Sequence, residues 1–285
     1  GGGMSSSGSI IDLERGVAIG VDSPYDPDFF PDNSGFFFGG GSYVCPQSVL
    51  ATGAPTHLTL TEPGCTSASS VTLYEHVAAA LDGSDYFAIN STWSGDTGSG
   101  TDPTLFADAS SNVSFTALLN SGAGFVEDGT TTVATPMEVD AVPSPSMRLL
   151  VTQVADMDSL PQAYVLHRID LTRGPGSMRT IALPEVGRYC FPGGKPSISM
   201  DDRWLVMHHS TTDADAVDLG FTGVTDLGFA PYRATTNIYL VDLLTGTRTR
   251  ITRMSPGQHA YFPHFRSDGW IYFIVKTGGL PEYVV

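Results

Sequence analysis

The chain has 285 residues, of which 41% are apolar and 15% charged, and its 30 acidic against 14 basic residues leave a net charge of −16. This composition excludes intrinsic disorder, and the negative surplus repels phosphate backbones and anionic lipid surfaces, so nucleic acid is excluded as a partner. No apolar run approaches the roughly 18 residues of a membrane span, so no transmembrane segment is expected.

Residues 1–15 begin with Gly1-Gly2-Gly3-Met4-Ser5-Ser6-Ser7-Gly8 and read as a flexible linker. The composition suits the mature end of an exported protein, or a tether downstream of a lipid anchor placed before Gly1. A frayed or added terminus fits equally. Residues 16–285 read as one all-β domain. The 32 glycines and 19 prolines mark many turns between β-branched and aromatic runs.

Val17–Val21 is an apolar run expected at a sheet edge, closing the fold against its last sheet. Pro27-Asp28-Phe29-Phe30-Pro31-Asp32-Asn33-Ser34-Gly35 then reads as strand and turn, followed by the strand Phe36-Phe37-Phe38. Cys45 and Cys65 lie in a Gly/Pro/Thr-rich stretch. A disulfide between them is expected in an oxidising compartment, the alternative being two unrelated buried thiols. Cys190 is left over and is expected to be a small buried apolar residue.

Leu73–Leu81 is rich in helix formers and reads as helix when taken alone. It also fits the turn frame, through Asp82-Gly83 and then Tyr86-Phe87-Ala88-Ile89, and the frame makes it a strand. Residues 91–133 are the least legible, and Asn112–Phe125 is expected to hold a degenerate repeat or an insertion. Further copies of the frame are Val142-Pro143-Ser144-Pro145-Ser146-Met147 before Leu149, Pro196–Arg203 before Trp204, and Pro263–Gly269 before Trp270. A second repeat, strand then Gly turn then strand, spans Tyr164–Leu183 and Asn237–Thr252 and places Asp170 and Asp242 alike.

Phe36, Tyr86, Leu149, Trp204 and Trp270 are thus separated by 50, 63, 55 and 66 residues, one four-stranded blade plus insertions per interval. In the turn, Asp or Asn bonds its own backbone and Gly accepts a positive φ, while Pro ahead of the strand blocks helix. The frame resembles the bacterial TolB-like β-propeller repeat, whose turn reads close to P-x-F-S-P-D-G. Pro263–Gly269, Pro196–Asp202 and Pro27–Gly35 match best, and the copies at Asp82 and Ser146 depart from it. The resemblance implies a β-propeller of four-stranded antiparallel blades, six of them, with five turns legible here. It also implies an exported, periplasmic or cell-surface location.

The chain contains no Gly-x-Ser-x-Gly elbow, no His-Glu-x-x-His, no Cys-x-x-Cys-His and no phosphate loop. The expected function is therefore that of a non-enzymatic scaffold that docks protein partners in a bacterial envelope or surface assembly. The alternative is a metal- or ligand-dependent enzyme with its site at the channel mouth. His264, Asp28, Ala78 and Ser197 share one place on the innermost strands, so His264 and Asp28 are expected to face each other across the channel with His259 near its mouth. A transition metal would suit the histidines. Asp213, Asp215 and Asp218 are spaced loosely like a calcium loop, without its Gly and Glu, and a solvated acidic loop is the competing reading. His208 and His209 are neighbours on a strand, point to opposite faces and cannot share an ion; one is expected packed, the other exposed.

Overall fold

The computed structural model describes residues 8–12, 14–22, 27–38, 43–51, 55–59, 64–67, 75–79, 85–91, 111–154, 163–278 and 283–284. It is a β-propeller with five blade sheets among the described residues, where the resemblance implied six. Blade one is β3 (Pro27–Phe29), β4 (Gly35–Phe38), β5 (Tyr43–Pro46) and β7 (Thr66–Ser67). Blade two is β8 (Glu75–Ala79), β9 (Tyr86–Ser91), β10 (Asn112–Asn120) and β11 (Phe125–Ala134). Blade three is β12 (Glu138–Pro143), β13 (Leu149–Val154), β14 (Ala163–Arg168) and β17 (Glu185–Tyr189), with the ribbon β15 (Asp170–Arg173) and β16 (Arg179–Ala182) inserted before its last strand. Blade four is β18 (Gly194–Ile198), β19 (Trp204–Ser210), β20 (Thr236–Asp242) and β21 (Arg248–Arg250). Blade five has three described strands, β22 (Gln258–Phe265), β23 (Ile271–Thr277) and β24 (Tyr283–Val284). The first strand of each blade touches the first strand of the next, so β3, β8, β12, β18 and β22 form the inner ring.

Each legible turn of the sequence joins the first two strands of one blade. The four described copies share one backbone. Asn33, Met147, Asp202 and Gly269 occupy the same position with φ of 57°, 58°, 58° and 86°. Their N–H groups donate to Phe30, Ser144, Ser199 and Arg266 at 2.8–3.0 Å. One residue earlier, the side chains of Asp32, Ser146, Asp201 and Asp268 accept the N–H two residues on. Ser146 therefore does the work of the missing aspartate in the weak copy. Met147 is left-handed without being Gly or Asn, and it is 4% exposed in the core between blades two and three; its burial there offsets a backbone cost of about 1–2 kcal/mol.

The core lies between blades. Phe30, Phe37 and Val44 meet Val77, Tyr86 and Phe125 between blades one and two. Ala78, Phe87 and Phe115 meet Met147, Leu150 and Ile169 between two and three, and Val151, Tyr164 and Leu166 meet Leu205, Met207 and Tyr239 between three and four. Val206, Ile238 and Ala260 close four against five. Each buried Phe or Leu contributes roughly 1.5–3 kcal/mol, so the blades are bound face to face mainly through side chains, with one parallel pairing, Thr236 with His259, joining blade four to blade five.

Several expectations are corrected. Val17–Val21 is β2, but it pairs with β1 (Gly8–Asp12) and, in parallel, with β6 (His57–Leu58), and this three-stranded sheet packs on blade one through Ile10, Ile19, Val21, Phe36 and Leu58. β1 lies within the stretch read as linker. Residues 112–134 are neither degenerate nor inserted; β10 and β11 complete blade two. By contrast, residues 75–79 form β8, the strand that the repeat frame required, because pairing with β9 outweighs helix propensity; residues 73–74 and 80–81 lie outside the described residues. The Gly turn after Tyr164–Leu171 closes the β15–β16 ribbon rather than the blade. Cys190 is exposed, and Cys45 and Cys65 form the expected disulfide. Among the described residues no helix is long and apolar enough to cross a membrane.

Candidate functional site

The inner ring carries three of the six residues expected to bind a ligand or metal, Asp28, His259 and His264. Asp28 sits on β3, where its Oδ2 accepts the Val77 N–H of β8 at 3.0 Å and lies 3.5 Å from His76 Nδ1. Ser197, its counterpart on β18, accepts the Phe265 N–H of β22 at 3.2 Å. This ring position therefore links a blade to the next one through a side-chain oxygen. His264 is exposed on β22. His259, on the same strand, has Nδ1 3.1 Å from both the Thr236 and Tyr261 hydroxyls. Burial and then the Lys276 charge lower its pKa, which favours the neutral imidazole. Asp28 is thus drawn toward blade two and His259 toward blade four.

The ring holds a second set of groups that the sequence did not announce. Three inner strands carry a bulge at the same place, and the bulged residues Asp140, Lys195 and Phe262 are left-handed, with φ of 52°, 47° and 51°. Such backbone costs of order 1–3 kcal/mol and persists only where its surroundings enforce it. Asp140 and Lys195 come from adjacent blades, and the Lys195 ammonium donates to both Asp140 oxygens at 3.2 Å. Phe262 lies edge-on to His208, 5.7 Å between rings.

His208 and His209 do point to opposite faces, but both are buried, 1% and 4% exposed, which corrects the expectation that one is exposed. His208 faces blade five, against Tyr261 and Phe262. His209 faces blade three, and its Nε2–H donates to Asp215 Oδ2 at 2.9 Å.

Asp213, Asp215 and Asp218 lie in the long excursion 211–235 between β19 and β20, and their nearest partners differ. Asp213 pairs with Arg233 at 2.7 Å, Asp215 with His209, and Asp218 lies 3.8 Å from Arg248. Among the described residues no group of three His, Cys, Asp or Glu is arranged to hold a metal ion. Burial opposes ionisation of Asp215, but the His209 bond and charge and the Thr212 N–H and hydroxyl, both at 2.7 Å, outweigh it and bring the pKa down to about 2.

The excursion is an ordered loop with its own packing. Its neck is closed by Thr211 N–H to Thr235 O at 2.9 Å and by the two threonine hydroxyls at 2.8 Å. Phe221 packs on Phe229 and Tyr232, and Arg233 covers the Phe229 ring. Outward, Leu227 is 91% exposed and Val217 69%. The sequence signal for this loop was its Asp spacing, read as a calcium-like or solvated acidic loop; the aromatic residues behind it went unread.

Blade three holds one more buried group. His167 Nδ1 faces the Leu183 carbonyl at 2.9 Å, Nε2 faces Glu138 Oε2 at 2.6 Å, and Thr152 donates to the same oxygen at 2.6 Å. Burial disfavours the charged ring, but Glu138 and the Leu183 carbonyl prevail and the His167 pKa is raised.

No protein-family model and no curated protein matches the sequence. Among solved structures, the chain is similar to a TolB protein from Agrobacterium tumefaciens, with 14% identity and a TM-score of 0.47 over 90% of this chain and 74% of that one. It is also similar to the acylaminoacyl peptidase of Pyrococcus horikoshii, with 10% identity and a TM-score of 0.49 over 97% of this chain; it spans 45% of that peptidase. A third similar structure is the β-propeller domain of the trilobed protease of Pyrococcus furiosus, with 9% identity and a TM-score of 0.44 over 97% of this chain and 71% of that one.

Proposed function

We propose that the protein is a non-enzymatic scaffold that docks a protein partner in a bacterial envelope or cell-surface assembly, with the propeller as a rigid body and the loop 211–235 as its docking element. One observation carries the reading: a loop closed at its neck and packed on its own aromatic residues nevertheless turns Val217, Val224 and Leu227 to solvent. Rigid apolar display lowers the entropy cost of association. The Cys45–Cys65 disulfide supports an oxidising compartment and hence export. A propeller supplies such loops whatever its chemistry; the rigid apolar display belongs to this loop and not to the fold.

The test is co-purification from the native envelope after gentle cross-linking. The wild-type protein should carry one partner in stoichiometric amount. Leu227→Asp, at a site with no packing to lose, should fold normally and release it. A wild-type protein that emerges alone, or a partner retained by L227D, would overturn the reading.

A further inference from the structure

The basic run Arg248-Thr249-Arg250 stands out in a chain of net charge −16. Only Lys195 and Lys276 are lysines, so the other basic residues are arginines. Among the described residues, every arginine except Arg250 and the exposed Arg253 lies within 4.0 Å of a carboxylate. Arg250 is half-buried, and its Nη1 is buried with no hydrogen-bond partner among the described residues. A buried guanidinium N–H without an acceptor is costly, and Arg is suited to grip two oxygens at once.

A second donor stands beside it. Tyr239 pairs with Arg250, so Asn237, two residues along β20, shares its face and is its diagonal neighbour. Asn237 is 1% exposed. Its Oδ1 accepts from Met254 N–H at 2.9 Å and Thr252 Oγ1 at 3.2 Å, which fixes the orientation of the amide. Its Nδ2 is buried with no partner among the described residues. The nearby charges are already committed: Arg248 lies over the Tyr239 ring at 4.7 Å, and Asp215 and Asp218 face Arg248 at 3.9 and 3.8 Å. His209, opposite Asn237 on β19, is held by Asp215.

We propose that this face of blade four, turned toward blade three, binds a small oxyanion through the Arg250 guanidinium and the Asn237 carboxamide. The ligand class is a carboxylate or a phosphate, which share the pair of acceptor oxygens that two buried donors require. The proposal does not depend on the docking role of the loop.

Thermal unfolding is followed while sodium phosphate, or in a second arm sodium acetate, replaces chloride at constant ionic strength. At ten times the dissociation constant the melting temperature should rise by about 2–4 °C over chloride. A rise with both ions, or with either alone, supports the site and sorts its two sources. Asn237→Asp keeps the acceptor for Met254 and supplies Arg250 with a carboxylate. It should raise the melting temperature in chloride and abolish the increment, and Arg250→Gln should abolish the increment without that gain. No increment with either ion in the wild type, or an equal increment in both variants, would overturn the proposal.

Discussion

Replacing Asp215 with Asn tests the electrostatics of the loop neck. The side chain is 5% exposed, and its Oδ2 accepts from His209 and twice from Thr212. Asn keeps an oxygen for Thr212 and removes the charge. A pKa of about 2 against an ordinary 3.8 corresponds to about 2 kcal/mol of stability at neutral pH. The folded pKa is depressed, so this contribution is complete above the unfolded pKa and is lost as pH falls through the folded one. It should fall to about half by pH 3. Urea unfolding at pH 7 and pH 3 measures it: D215N should be about 2 kcal/mol less stable than wild type at pH 7, with an unchanged m-value, and the gap should narrow on acidification. A gap under about 0.5 kcal/mol at pH 7, or one that is the same at pH 3, would refute the assignment of the charge to the neck.

Three other outcomes are expected. Tyr164 is fully buried, and its hydroxyl has no hydrogen-bond partner among the described residues; Tyr164→Phe should therefore leave stability unchanged or raise it by about 1 kcal/mol in chemical denaturation. Cys45 and Cys65 close a loop with a sequence separation of 20, so Cys45→Ser/Cys65→Ser should cost about 3 kcal/mol in the same assay, and reductant should have no further effect on the variant. The raised pKa of His167 stabilises the fold below its unfolded value of 6.5, and that stability is lost as pH rises through the folded pKa; the wild type should weaken on the alkaline side, and His167→Gln should remove that part of the pH profile.

The repeat turns were legible because their chemistry is local. Asp32, Asp201 and Asp268 each bond an N–H two residues on, and any window of the sequence shows the pattern. Ser146-Met147 looked degenerate because its left-handed residue is enforced by burial, which no local window reveals. β11 escaped notice because Thr130, Thr131 and Thr132 give no alternation; its register comes from β10. The inner-ring position of Asp28 and Ser197 was found, but its role as a bond to the next blade depends on a neighbour 49 or 68 residues away. The Asp140–Lys195 pair was out of reach for the same reason, since a bulge exists only relative to the strand across from it. The carboxylates of 213–218 were found by spacing, whereas their directions are set by Arg233, His209 and Arg248, which belong to three different elements.

The Cys45–Cys65 link also bears on the order of assembly. The chain leaves blade one after β5, contributes β6 to the N-terminal sheet, and returns as β7 beside β5. β1 and β2 can pair as a hairpin soon after synthesis, but their third strand arrives only with residues 57–58. Oxidation at the base of that excursion shortens the search, because β6 is then carried on a closed arm. A chain that emerges into a reducing environment would have to find the same parallel pairing from an open loop, so the compartment that forms the bond also sets how quickly the first sheet seals the first blade.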